Sequence, residues 1–134
     1  MQKSANGTFD VKINPLQPYN TAENAKLARM SIDKQFHGDL DAASRGEMLS
    51  AMGEVDGSAG YVAIERVSGT LDGRSGSFVL QHNATMTRGQ PYLNIIVVPD
   101  SGSGELSGLA GAMMITITEG RHYYRFDYTL PDPG

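Results

Sequence analysis

The sequence predicts an all-β domain, an eight-stranded antiparallel β-barrel, and three observations carry that expectation. Sixteen glycines, spread along 134 residues, cut the chain into short segments. β-Branched and aromatic residues fill those segments and alternate with polar residues at period two. No segment carries a convincing helical period.

Taken in order, the alternation marks strands at 5–13, 27–37, 44–54, 59–71, 76–87, 91–98, 112–119 and 122–130. The first presents Phe9, Val11 and Ile13 on one side. Residues 14–26 read as a long connection after Pro15 and Pro18, with at most one turn of helix over Thr21 to Leu27, which lacks an apolar face. In the second strand Met30, Ile32, Lys34 and Phe36 share a face, so an apolar stripe contains a lysine. A turn near Asp41-Ala42 places Glu47, Leu49 and Ala51 of the third strand on that same side. Between the fourth and fifth strands a tight turn at Gly73-Arg74 pairs Glu65 with His82 and Tyr61 with Met86; centring it on Asp72-Gly73 shifts partners by two and preserves the faces. Turns at Arg88-Gly89 and Gly120-Arg121 then align Leu93, Ile95 and Val97 with Ala84, His82 and Leu80, and Ile115 with Phe126.

Length bounds the chain to a single domain, residues 1–134. With no cysteine and three histidines, neither a disulfide framework nor a metal centre is expected, and no cofactor is implied. A net charge of -4 with interleaved signs argues against nucleic acid and anionic lipid as partners. There is no apolar run long enough for a membrane helix and no leader-like start, so a cytoplasmic protein is expected.

The inner face thus collects ionisable groups: Lys34, Glu47, Glu65 and His82, with Tyr61, Tyr124 and Tyr128 on the same side. A buried charge without a partner costs several kcal/mol, so such groups are paired, hydrated or used. Two readings stay open. Either the charges satisfy one another in a filled core, or they stand in a cavity whose tyrosine walls suit an amphipathic ligand, with Glu65 or His82 available as acid or base.

Other motifs carry little chemistry. Gly102-Ser103-Gly104 has no following helix and no Walker lysine, so it reads as a tight connection rather than a phosphate loop. Neither Ser75 nor Ser103 sits in a nucleophile elbow, and Asp39-Leu40-Asp41 lacks the rest of a calcium loop. Arg45, Arg74, Arg88 and Arg121 are solvated turn residues. On the outer face Val62, Ile64, Val79, Ile96 and Val98 group across neighbouring strands, the basis for expecting a homo-oligomer.

The connection Gly102-Ser103-Gly104-Glu105-Leu106-Ser107-Gly108-Leu109-Ala110-Gly111 resembles the glycine-rich connection of plant allene oxide cyclases and dirigent proteins, with Ser103 where those carry threonine. The segments Asp33–Leu40, Gly46–Leu49, Tyr61–Glu65, Gly76–His82 and Val97–Ser101 are similar to a family of small bacterial proteins of unknown function with an allene oxide cyclase barrel-like fold. That resemblance implies an eight-stranded barrel and carries across no catalytic residue. The expected function is binding of a small, largely apolar ligand near Lys34, Glu65 and His82, with isomerase or cyclase-type acid–base chemistry as its extension. The alternative is a structural or oligomerising module with a closed core.

Overall fold

The computed structural model describes residues 2–22 and 26–131. Nine strands run in chain order: β1 Gln2–Leu16, β2 Lys26–Gly38, β3 Leu40–Met52, β4 Ala59–Leu71, β5 Arg74–Thr87, β6 Gln90–Val97, β7 Ser103–Gly104, β8 Ala110–Thr118 and β9 Arg121–Thr129. Eight of them close a ring in the order β4-β3-β2-β1-β9-β8-β6-β5 and back to β4, and the two-residue β7 continues the edge of β5 beyond β6. Every pairing is antiparallel. No helix among the described residues is long and apolar enough to cross a membrane. Part of the helical turn considered over Thr21 to Leu27, residues 23–25, lies outside the described residues.

Three hairpins share one device. Asp72-Gly73, Arg88-Gly89 and Glu119-Gly120 all have positive φ at both positions, the conformation whose twist matches that of the flanking strands. Glycine takes the second position in each. Centring two of these turns on Gly73-Arg74 and Gly120-Arg121 is therefore off by a residue at each centre, and the true partners are Glu65–Leu80 and Ile115–Tyr124. A shift of two leaves the faces as expected.

The β2–β3 turn is a different case. It sits at Gly38-Asp39, with Gly38 at φ 106, and pairs Phe36 with Ala42 and Lys34 with Ser44. A turn at Asp41-Ala42 differs from this by an odd register, so the expected face of β3 is inverted: Glu47, Leu49 and Ala51 point outward, and Ser44 and Met48 point inward.

The closed end of the barrel holds the core. Phe78, Phe126 and Tyr128 stack in sequence at 5.7 and 5.4 Å between ring centroids, and Phe36 meets Tyr124 edge-on at 5.6 Å. The glycine-rich connection folds across this end and buries Leu106 and Leu109. Its tightness requires glycine: a Cβ on Gly102 would lie 2.0 Å from the Leu106 carbonyl oxygen, and one on Gly76 would lie 2.1 Å from that of Ser103. The resembling motif is thus a plug.

Candidate functional site

Halfway along the barrel the alternation turns polar. Lys34 on β2, Ser44 on β3, Glu65 on β4 and His82 on β5 form a diagonal across four neighbouring strands, each on its strand's inner face. The Glu65 carboxylate is at the centre. Its Oε1 accepts a hydrogen bond from Ser44 Oγ at 2.7 Å; its Oε2 accepts from Lys34 Nζ at 2.8 Å and lies 2.5 Å from His82 Nε2. Gly46 makes room for it. Opposite Glu65 across the β3–β4 ladder, a Cβ there would lie 2.6 Å from Glu65 Cα and 2.0 Å from the Ile64 carbonyl oxygen.

Glu65 is 0 % exposed, His82 3 % and Lys34 8 %. Burial alone would raise the Glu65 pKa, but the hydrogen bond from His82, and the charge and hydrogen bond of Lys34, hold it down at about 2. The carboxylate is therefore ionised and can only accept, so the His82 Nε2 facing it carries a hydrogen. The ammonium of Lys34 rests on two rings, 4.9 Å from the Phe9 centroid and 5.7 Å from that of Phe36.

The cluster leaves some capacity unused. Lys34 has three N–H donors and spends one on Glu65; among the described residues no hydrogen bond reaches His82 Nδ1. Every described side-chain N or O that is sealed from solvent has a partner, so Nδ1 is not sealed.

Beyond this floor the barrel opens. Ile13, Met52, Met86, Leu93 and Ile117 lie on the inner faces of their strands, yet all are exposed, while Met30 and Met48 face each other across the β2–β3 ladder, half-buried. An apolar cavity of about 290 Å³ lies here, lined by Tyr61, Ala84, Met86, Pro91 and Leu93 among others. Tyr61 bridges cavity and floor, its ring centroid 6.4 Å from that of His82. Burial, and then the negative charge of Glu65, raise its pKa.

Of the residues expected at the site, Lys34, Glu65, His82 and Tyr61 come together. Glu47 does not: it lies outside the barrel, paired with Arg29 at 2.6 Å, and that hydrogen bond and charge lower its pKa. Tyr124 and Tyr128 are inside but already engaged at the closed end. The Tyr124 hydroxyl accepts from Leu40 N at 2.9 Å and donates to the His37 carbonyl oxygen at 2.9 Å, pinning the β2–β3 turn. The Tyr128 hydroxyl donates to the Asp72 carboxylate and pins the β4–β5 turn; burial, then that bond, push its pKa up. Ser44 went unrecognised in the sequence because of the inverted β3 face, although Gly38-Asp39 was the available turn signal.

The outer patch is uneven. Val62 and Ile64 are exposed and neighbour the exposed Leu49, whereas Val79, Ile96 and Val98 are half-buried.

A family model described as a protein of unknown function, DUF3224, matches residues 5–128. Among solved structures, a protein of unknown function from that family, from Shewanella oneidensis MR-1, is 53 % identical, superposes with a TM-score of 0.94, and is covered over 98 % of each chain. No curated protein matches.

Proposed function

The chain belongs to the DUF3224 family of proteins of unknown function, and from the geometry of its site we propose that it binds a small, largely apolar molecule carrying one polar end. The observation that carries this reading is the unused capacity at the barrel floor. Both oxygens of Glu65 are engaged, while two Lys34 N–H groups and His82 Nδ1 make no hydrogen bond among the described residues, and Tyr61 joins this floor to the apolar cavity at the rim. A cluster serving only to fill a core would close on itself. Small barrels that hold ligands combine an apolar wall with a few convergent polar groups, the arrangement here. Proton exchange between the bound molecule and His82 Nδ1 would extend the reading to isomerase or cyclase chemistry. The resemblance of the glycine-rich connection to allene oxide cyclases is compatible with that extension and names no residue for it.

Native mass spectrometry of the purified protein tests the proposal. A retained molecule, released on denaturation and absent from a folded His82→Ala variant, is the expected result. A bare chain that also takes up no apolar probe would overturn it. A second reading, an oligomerising module, is favoured by the exposed Leu49, Val62 and Ile64 on adjacent strands. Light scattering on the protein and its Val62→Glu variant decides that one: a monomer mass for both would remove it.

A further inference from the structure

The barrel wall has one weak seam. β5 and β6 pair from Leu80–Val97 to Thr87–Gln90, and β8 and β9 pair from Ala110–Thr129 to Thr118–Arg121. Between β6 and β8, pairing among the described residues is confined to Ile95–Met113 and Ile96–Ala112. Continuing that register toward the open end would set Leu93 against Ile115 and Pro91 against Ile117, but no ladder forms there. Beyond those two pairs the facing edges of β6 and β8 carry no ladder among the described residues, and proteins ordinarily cover or blunt such edges.

What flanks the split is apolar. Tyr92, Leu93, Met114 and Ile117 are exposed along it, and Pro91, Tyr92 and Leu93 also line the 290 Å³ cavity. The opposite side of the same hairpin is braced: in the β5–β6 turn, Gly89 N donates to the Gly57 carbonyl oxygen at 3.0 Å and Arg88 N to Ser58 Oγ at 3.1 Å, tying it to the β3–β4 loop. The hairpin is therefore tied at its turn on the β4 side, while on the β8 side it is held by the Ile95–Met113 and Ile96–Ala112 pairs.

We infer that the split between β6 and β8 is a lateral doorway for a carboxylate-ended hydrocarbon chain, whose head reaches Lys34 and His82 and whose tail lies between the two hairpins. This rests on the binding reading and adds a ligand class and a route to it. The head group follows from the donors and acceptors left open. Both oxygens of Glu65, the acid of the floor, are already engaged and the Lys34 ammonium beside them repels a second cation; Lys34 offers two donors to an anion. With Nε2 carrying a hydrogen toward Glu65, His82 Nδ1 holds a lone pair in the neutral ring. The negative charge of the head is met by the Lys34 ammonium. The groups facing His82 are Glu65 and Tyr61 on β4 and Lys34 on β2; its β6 partner, Ile95, is apolar. A chain running from the split to Lys34 meets Met86 and Leu93 at the β5–β6 hairpin and Met30 and Met48 on the far wall of β2 and β3, side chains that adapt to its shape.

The chain has no cysteine, so a Leu93→Cys/Ile115→Cys variant can be bridged across the split, by oxidation or by a short bismaleimide linker where the gap exceeds disulfide reach. Uptake of a dansyl-labelled undecanoic acid is followed by stopped flow for the bridged and unbridged forms of this variant. Bridging should slow association about tenfold or more, and reduction of the disulfide form should restore it. The corresponding alcohol and amine should bind at least about tenfold more weakly than the acid. Equal rates with and without the bridge would overturn the doorway while leaving binding in place. Equal affinity for acid and alcohol would overturn the head-group assignment. If the unbridged chain binds no probe and native mass spectrometry finds no retained molecule, the binding reading itself falls, and this inference with it.

Discussion

The two ends of the barrel are made by the same strands with the same alternation, and they differ in what crosses the axis. At the closed end Phe78, Phe126 and Tyr128 stack, Leu106 and Leu109 enter from the connection, and Tyr124 and Tyr128 tie down the turns. At the open end the inner faces continue as Ile13, Met52, Met86, Leu93 and Ile117, and nothing covers them among the described residues. Alternation thus decides which side of a strand faces inward. Whether inward means core depends on a plug supplied from elsewhere in the chain, and Lys34, Ser44, Glu65 and His82 mark the boundary between the halves.

The sharpest contrast is in stability. Phe126→Ala should cost about 3–5 kcal/mol, the usual range for a large aromatic removed from a packed core, while Leu93→Ala or Met86→Ala at the rim should cost under about 1 kcal/mol. Urea unfolding of the three variants measures this, and comparable losses would mean the open end is as packed as the closed one. At the boundary, Glu65→Ala leaves Lys34 buried and unpaired and should cost about 3–5 kcal/mol. Lys34→Met/Glu65→Gln should recover most of that, because the charges leave together. A double variant as unstable as the single one would show that ion pairing is not what the cluster contributes.

The boundary should also make stability depend on pH. The Glu65 carboxyl is held at about 2 in the folded chain against an ordinary 4.5, so its contribution is complete above about pH 4.5 and is lost as pH falls toward 2. The total is on the order of 3 kcal/mol. Thermal melts between those limits should therefore steepen for the protein and flatten for Glu65→Gln; parallel curves would place the acid sensitivity elsewhere. The smallest effect concerns the tyrosines. Tyr128→Phe leaves Asp72 without its partner and should cost about 1 kcal/mol, whereas Tyr61→Phe, whose hydroxyl makes no hydrogen bond within the described chain, should be nearly neutral.

Much of this was legible in the sequence. The strand pattern, the closure into a barrel and membership in a family of small proteins of unknown function all follow from residue order, and faces survived where turn errors were even. They failed on β3, where an odd register error moved Glu47 inward and hid Ser44. Local chemistry offers Gly38-Asp39 and Asp41-Ala42 within four residues of each other, and the choice is made by tertiary contacts such as Tyr124 on Leu40 and His37. Nor could alternation distinguish Tyr124 and Tyr128 from pocket walls, since their partners lie in turns remote in sequence.

Methionine oxidation tests the division of the barrel most directly, because the side chains are distributed across it. Met52 and Met86 lie at the open rim, Met30 and Met48 on its inner wall, and Met113 in the closed core, 3 % exposed against 40 % for Met86. Peptide mass spectrometry after brief peroxide treatment should find the rim residues Met52 and Met86 and the outward-facing Met114 oxidised first and Met113 last, with Met30, Met48 and Met86 protected when dansyl-labelled undecanoic acid is bound. Oxidation of Met113 as fast as Met86, or an open-half pattern unchanged by bound probe, would contradict the account.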